Sequence, residues 1–254
     1  MVKMQRGNTV KKIILDILII LFAAAAIICG SVSFIHFDQL QKNDNEFKKL
    51  SRKSYTKLKK QNSDMIGWLK MPKTKINYPV MYTPDNPEFY LHANFEKQYS
   101  LSGTLFVAGD TDIDISHNIL IYGHHMMDGT MFGNLSKYIQ EGKRKLVFDI
   151  LKSEDGSVYE HGKYKVIAAF KTSTHYPEPY YMYQEIDDKE TFDKYKKLIS
   201  ESNELDEPVE CEYPDKLITL STCSYHLWNH GQLDHSGRYI VIAKKVFDET
   251  IGQK

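Results

Sequence analysis

The segment from Ile13 to Ile35 is predominantly apolar and carries one charge, at Asp16, and it constrains the fold more than any other part of the sequence. A helix rises 1.5 Å per residue, so about 20 residues cross the roughly 30 Å hydrocarbon core of a bilayer. Asp16 lies near one end of the run, where a carboxylate can reach the interface. The run therefore predicts one transmembrane helix over residues 13–35.

Basic residues precede the apolar run and set its predicted orientation. Lys3, Arg6, Lys11 and Lys12 favour a cytoplasmic position for residues 1–12. The rest of the chain is then outside the cell, as a single-pass type II protein of the cell membrane. A cleaved signal peptide is the alternative, but its apolar core is usually only about 7 to 15 residues long.

The composition is that of a folded protein without a strong overall charge. Hydrophobic residues make up 42% of the chain, and 33 basic side chains balance 33 acidic ones. A balanced charge gives no electrostatic attraction to nucleic acid, so we expect no nucleic-acid partner. Cys211 and Cys223 are the two cysteines outside the apolar run, which is too few for a disulfide framework. A cysteine that stays unpaired outside the cell indicates that its thiol takes part in a reaction.

Residues 36–63 and 64–254 differ in their pattern. The first segment is rich in Lys, Asp, Asn and Gln with spaced apolar residues, which predicts a helical juxtamembrane stalk, with a flexible tether as the alternative. The second contains short β-like runs: INYPVMY, GTLFVAG, NILIYG, KYKVIAAF, KLITLSTC and RYIVIAKKV. Helices are predicted near Met131–Gly142 and near Lys189–Ser202. We therefore expect a mostly β domain, a barrel or sandwich with helices at its margins.

Cys223 is placed at the end of the run KLITLSTC. Alternation along a strand puts Ser221 and Cys223 on one face and Thr222 on the other. A side chain at a strand end is held by the sheet and faces the loops, where a substrate has access. The alternative is a cysteine packed as a small apolar residue.

His124 and Arg238 are placed in the same way at the ends of other predicted strands. His124 follows NILIYG, and an imidazole titrates near neutral pH, so it can accept a proton from a thiol and return it to a leaving amine. Arg238 opens RYIVIAKKV, and its permanently charged guanidinium can hold a carbonyl or a developing oxyanion. A surface position is the alternative for each.

These residues and their context resemble the sortase family of Gram-positive cysteine transpeptidases. The run TLSTC, an arginine on the next strand and the upstream NILIYGH match the family's signature in order. YGHHMMDGTMFGNL, HANFEKQYSLSGTLF and the insertion YYMYQEIDDKETFDKYKKLISES are most like class B sortases. The resemblance implies a closed β-barrel of about eight strands over residues 64–254.

The resemblance also implies roles for individual residues. Cys223 would be the nucleophile, His124 the general acid and base, and Arg238 the clamp for oxyanion and substrate, while His125 would be a bystander. Four further residues would contact the substrate: Ser221, Thr222, Leu91 and Asn94. Asp234 is a further position without an assigned role.

As a sortase, the protein would cleave a C-terminal sorting signal of secreted proteins after Thr and form a thioester at Cys223. It would then transfer the protein to an amine of a lipid II-type peptidoglycan precursor, and water would take the place of the amine in its absence. No cofactor and no metal are implied.

Two alternatives come from other functional classes. One is an extracellular zinc site, because thiolate and imidazole are ligands of zinc. Its ligands would be Cys223, His226, His230 and His235, which are spaced C-x2-H-x3-H-x4-H. The other is an adhesion or binding module without transpeptidase activity. A papain-like protease is disfavoured because its cysteine precedes its histidine in the chain.

Overall fold

The computed structural model describes residues 2–109, 111–224, 228–229 and 232–252. Contacts between residues divide the chain into two compact units, residues 1–42 and 43–254. The first unit belongs to a long helix, α1 (Val2–Leu50). Within the described residues, one stretch of this helix, Ile17–Ile35, is long and apolar enough to span a membrane, with a mean hydropathy of 2.6 and no part of it buried.

The second unit contains the remaining helices and strands. In chain order they are α2 (Tyr55–Gln61), β1 (Met65–Lys70), β2 (Asn77–Met81), β3 (Leu105–Val107), β4 (Asn118–Tyr122), α3 (Leu135–Gln140), β5 (Lys145–Leu151), β6 (Val158–Ser173), α4 (Lys189–Ser202), β7 (Leu217–Cys223), β8 (Trp228–Asn229), β9 (Gln232–Leu233) and β10 (Gly237–Gly252). Short 3-10 helices lie at Phe89–Leu91 and Tyr180–Tyr183.

Eight of the strands close into a barrel in the order β1-β2-β3-β4-β7-β10-β6-β5, and β5 pairs back onto β1. The pairs β2–β3 and β4–β7 are parallel, and the other pairs are antiparallel. β8 and β9 form a separate two-stranded sheet. The prediction of a mostly β, closed barrel of about eight strands with peripheral helices is confirmed.

Alternating side chains divide the core between the inside and the outside of the barrel. Ile218 and Leu220 of β7 belong to the main cluster, together with buried residues of β1, β2 and β5. Leu217 of β7 belongs to a second cluster, which α4 covers with Phe192 and Tyr195. These two side chains repeat at helical spacing and are fully buried, so the apolar face predicted for this helix packs against the barrel.

The segment before β1 contributes to the core of the barrel unit. Phe47 and Leu50 at the end of α1 and Leu58 in α2 are buried in the main cluster. Tyr55 donates a hydrogen bond to Asp149 of β5. Part of the region predicted as a stalk therefore packs on the barrel.

Six barrel strands lie where the β-like runs predict them, and two were not predicted. β1 includes Gly67, where an added Cβ would lie 2.3 Å from the main-chain oxygen of Asp149. The small residue allows this close approach but weakens the strand pattern in the sequence. β5 has a clear alternation, with Leu146, Phe148 and Ile150 buried.

Candidate active site

A cavity of about 510 Å³ lies at the ends of β4 and β7 and the beginning of β10. Cavities of this size bind small molecules or a few residues of a peptide. Its walls include six residues singled out in the sequence, one of which, Leu91, comes from the 3-10 helix between β2 and β3. The described lining residues are Pro87, Glu88, Leu91, Phe106, Ala108, Gly109, Tyr122, Gly123, His124, Thr174, Tyr180, Tyr181, Gln184, Ser221, Thr222, Cys223 and Arg238.

The pairing of β7 with β10 brings Cys223 and Arg238 together. The two residues lie directly opposite each other in the antiparallel register. The next pair outward is hydrogen-bonded, because the Ser224 amide donates to the Gly237 carbonyl at 2.9 Å. Hydrogen-bonded and non-hydrogen-bonded pairs alternate along such a ladder, so Cys223 and Arg238 form a non-hydrogen-bonded pair, in which side chains lie closest.

Cys223 is a free, partly exposed thiol. Cys211 is also free, but it is buried, and this burial raises the pKa of its thiol to about 11. A thiol reacts as its thiolate, so Cys211 is unsuited to nucleophilic chemistry at neutral pH. The cavity therefore contains the more accessible of the two cysteines of the barrel unit.

His124 follows β4 after a glycine that the packing requires. A Cβ at Gly123 would lie 2.5 Å from a side-chain carbon of Leu105 and 2.6 Å from one of Phe132. The His124 Nε2 lies 2.8 Å from the Leu91 carbonyl oxygen. That oxygen can only accept, so Nε2 carries the hydrogen and the neutral ring has its lone pair on Nδ1.

Three causes act on the pKa of His124. Burial, the largest, lowers the pKa, the hydrogen bond to the Leu91 carbonyl raises it, and the neighbouring His92 lowers it. The rings of His92 and His124 have centroids 5.6 Å apart. The net direction is down from the usual value, so His124 is mostly neutral at neutral pH.

Arg238 is held by main-chain oxygens at the entrance to β10. Its Nη1 donates to the carbonyl of His235 at 2.8 Å and to that of Gly237 at 2.9 Å. Its charge also reaches the phenols of the cavity wall, because it opposes the increase in pKa that burial causes at Tyr122 and at Tyr180. The guanidinium therefore contributes a fixed positive charge beside the thiol.

Ser221 and Thr222 both line the cavity, and their hydroxyl groups differ in whether they have a hydrogen-bond partner among the described residues. The Ser221 Oγ lies 2.7 Å from the hydroxyl of Tyr180, and both side chains are buried. The Oγ1 of Thr222 is buried and has no hydrogen-bond partner among the described residues. A buried hydroxyl without a partner is costly, so this atom can gain a partner when a ligand enters the cavity.

The remaining predicted residues are divided between the cavity and its surroundings. Leu91 lines the cavity, whereas Asn94 is not among the described lining residues. The buried Asn94 side chain accepts from the Gln98 amide at 2.9 Å and donates to Glu46 at 3.2 Å. Asp234 accepts from the Ser236 amide at 2.8 Å.

The alternative zinc site cannot be assembled from the described residues. His226 and His230 lie outside the part of the chain that the structure describes. Among the residues it does describe, no group of three or more His, Cys, Asp or Glu side chains is arranged to hold a metal ion.

Three tyrosines of the cavity were not singled out in the sequence: Tyr122, Tyr180 and Tyr181. Tyr122 is the residue before Gly123 at the end of β4, and Tyr180 comes from the insertion between β6 and β7. Tyr122 directly precedes the Gly-His pair and could have been found from it. Tyr180 is 41 residues from Ser221, and its sequence context YYMY has no feature that indicates the contact.

The barrel places a cysteine, a histidine and an arginine at neighbouring strand ends, which are the groups that acyl transfer through a thioester requires. A family model, the sortase domain, matches residues 69–246. The chain therefore belongs to the sortase family.

Its relatives are sortases of class B. The chain is 32% identical to sortase B of Listeria monocytogenes over 171 residues, which cover 65% of each protein. It is 26% identical to sortase B of Staphylococcus aureus over 95% of this chain and 98% of that protein. The crystal structure of sortase B from Bacillus anthracis superposes with a TM-score of 0.67, at 27% identity, over 84% of this chain and 99% of that one.

Proposed function

We propose that the protein is a membrane-anchored transpeptidase that cleaves the sorting signal of secreted proteins after Thr and joins the protein to a cell-wall amine. The observation that carries the proposal is the cavity in which Cys223, His124 and Arg238 meet at the ends of three adjacent strands. Family membership supports the reaction class, because sortases are cysteine transpeptidases that act on surface proteins.

The first half-reaction forms a thioester. The sulfur of Cys223 attacks the carbonyl carbon of the substrate threonine, and His124 receives the thiol proton on Nδ1. Arg238 stabilises the negative charge that develops on the carbonyl oxygen. The bond between that carbon and the following nitrogen then breaks, and His124 returns the proton to the leaving amine.

The second half-reaction uses an incoming amine. The amine, proposed to be that of a lipid II-type peptidoglycan precursor, attacks the thioester carbonyl, gives its proton to His124 and displaces the Cys223 sulfur. Without an acceptor, water takes its place and the enzyme acts as a hydrolase. The net change exchanges one amide bond for another, which requires neither a cofactor nor a metal.

Contacts with the sorting peptide are proposed for the cavity walls. Leu91 offers an apolar surface, and the Ser221 hydroxyl lies against that of Tyr180. The Oγ1 of Thr222, which has no partner within the described part of the chain, can donate a hydrogen bond to the peptide or accept one from it. Asn94 is proposed to act indirectly, because its side chain supports the loop that follows Leu91.

The proposed location places both substrates beside the enzyme. Residues 1–12 would be cytoplasmic, 13–35 would cross the membrane, 36–63 would connect it to the barrel, and 64–254 would form the extracellular catalytic domain. The apolar stretch Ile17–Ile35 and the basic residues before it support this single-pass type II arrangement. An exported protein and a lipid-linked amine both occur at that surface.

The test uses the full-length chain in detergent micelles with a library of peptides of the pattern x-P-x-T-x. Products are followed by mass spectrometry with and without an amine acceptor, and Cys223→Ala is the control. We expect cleavage after Thr, a thioester on Cys223, and joining of the amine to the new C-terminus. Cleavage that persists in Cys223→Ala, or no thioester with any peptide, would refute the proposal, and the metal content of the protein would then be measured.

A further inference from the structure

The ring of His124 is held by a carbonyl of the loop that connects β2 and β3. Its Nε2 donates to the Leu91 main-chain oxygen at 2.8 Å. Leu91 ends the 3-10 helix Phe89–Leu91 and lies outside the barrel strands, so no strand ladder sets its position. The contacts that hold this loop therefore decide where the lone pair on Nδ1 of His124 points.

A side chain from the segment before β1 holds the loop on both sides of Leu91. Asn62 directly follows α2 and is buried. Its Nδ2 donates to the hydroxyl of Tyr90 at 2.7 Å and to the main-chain oxygen of Phe95 at 2.7 Å. An amide nitrogen has two hydrogens, so both hydrogen bonds can exist at once. The Phe95 oxygen can only accept, which fixes the orientation of the amide.

The Tyr90 hydroxyl has two partners that require opposite roles. Burial raises the pKa of the Asp64 carboxyl, whereas hydrogen bonds from Lys97 and Tyr90 and the charge of Lys97 lower it, and the net direction is down. Asp64 is therefore a carboxylate at neutral pH and can only accept. The Tyr90 hydroxyl donates to it at 2.8 Å and accepts from Asn62. Loss of the Asn62 donor would leave the Phe95 oxygen without this buried partner, which is costly.

The network ends one residue from the carbonyl that holds His124. Tyr90 precedes Leu91, and its main-chain oxygen accepts from the Thr104 amide at 3.0 Å. A Cβ at Gly103 would lie 2.5 Å from the main-chain oxygens of both Tyr90 and Leu91. The two peptide groups are packed against the same backbone, so a displacement of Tyr90 moves the Leu91 oxygen as well.

We propose that Asn62 is a positioning residue for His124: its side-chain amide fixes the loop around Leu91, and the Leu91 carbonyl in turn fixes the imidazole ring. The inference rests on the proposed function for its kinetic consequence. Asn62 is not among the described lining residues of the cavity, so it acts through the loop and does not touch the substrate.

The test uses the full-length chain in detergent micelles and compares Asn62→Asp and Tyr90→Phe with the unchanged protein. Asn62→Asp keeps the shape of the side chain but removes the amide donor. Tyr90→Phe removes one oxygen atom and leaves the contact between Asn62 and Phe95 in place. The readouts are nitrogen-15 NMR of the His124 ring, exchange of its Nε2 proton with water, and kcat for a cleaved sorting peptide.

Leu58→Ala is the matched control for a loss of stability alone. Leu58 lies in α2, close to Asn62 in the chain, and its side chain is fully buried. An apolar side chain makes no hydrogen bond to the loop. This variant should lower the free energy of unfolding, but in the folded protein the His124 ring should keep its Nε2 hydrogen and its rate of exchange.

We expect Asn62→Asp to lower kcat about tenfold, since displacement of a reacting group by about 1 Å can cost roughly 100-fold. The Nε2 proton of His124 should exchange about tenfold faster, which corresponds to the loss of one hydrogen bond, and the share of rings with the hydrogen on Nδ1 should increase. Tyr90→Phe should change both values in the same direction, by about threefold.

Two results would overturn the inference. One is an unchanged kcat and unchanged proton exchange in both Asn62→Asp and Tyr90→Phe. The other is a change of the His124 ring in Leu58→Ala as large as in Asn62→Asp, because reduced stability would then explain the effect. If the unchanged protein cleaves no peptide, the proposed function fails, while the NMR measurements still decide whether Asn62 holds the His124 ring.

Discussion

Leu58 offers a test of whether the segment before β1 belongs to the folded barrel unit. Its side chain is fully buried in the main core cluster, although the sequence predicts it to lie in a juxtamembrane stalk. Leu58→Ala removes three carbon atoms, and about 0.8 kcal/mol per carbon gives about 2.4 kcal/mol for lost burial. The cavity left behind raises the expected cost to about 3 to 4 kcal/mol.

The measurement is urea unfolding of the full-length chain in detergent micelles, followed by tryptophan fluorescence. Trp68 lies in β1, close to α2 in the chain, and is buried, so it reports on this region. Lys57→Ala is the matched control, because Lys57 is exposed on the same helix and its replacement should change the free energy of unfolding by less than about 0.5 kcal/mol. A cost below about 1 kcal/mol for Leu58→Ala would refute the reasoning and show that α2 unfolds apart from the barrel.

Three further predictions concern the cavity. His92→Asn removes a neighbour that lowers the pKa of His124, so the pKa of His124 should rise but remain below the usual value because burial is the larger cause. NMR titration of the His124 ring measures this increase. An unchanged or lower pKa would contradict the effect assigned to His92. Tyr180→Phe breaks the 2.7 Å contact with Ser221 and should raise KM about fivefold with little change in kcat, whereas a fall in kcat alone would exclude a binding role. Gly123→Ala forces side chains beside His124 to move and should lower kcat at least tenfold, and an unchanged kcat would show that the packing can relax.

Six of the eight barrel strands, and the positions of Cys223, His124 and Arg238 at strand ends around one cavity, could be predicted because their signals are local. Runs of β-branched residues mark β4, β7 and β10, and each places a reactive residue at its end. The pairing of Cys223 with Arg238 follows once these strands are neighbours. The alternation predicted for β7 fits its packing, because Leu217 belongs to the cluster covered by α4 and the Thr219 hydroxyl lies 2.6 Å from that of Tyr195 in the same helix.

The parts that could not be predicted depend on contacts between distant segments. Nothing near Tyr180 in the sequence indicates that its hydroxyl meets Ser221. The sequence also does not indicate that the Asn94 side chain accepts from the Gln98 amide and donates to Glu46.

The closed order of the eight barrel strands limits the ways in which a peptide can bind to the protein. β7, which carries Cys223, pairs with β4 on one side and with β10 on the other over residues 217–221, so this part of the strand offers no open edge to which a peptide could add. Main-chain pairing along a sheet edge would bind extended peptides with little regard to their side chains. In the proposed function, the peptide would then be selected by the walls of the cavity of about 510 Å³, which holds only a few residues. The protein should therefore recognise a short sequence motif in its substrates and tolerate different sequences on either side of that motif.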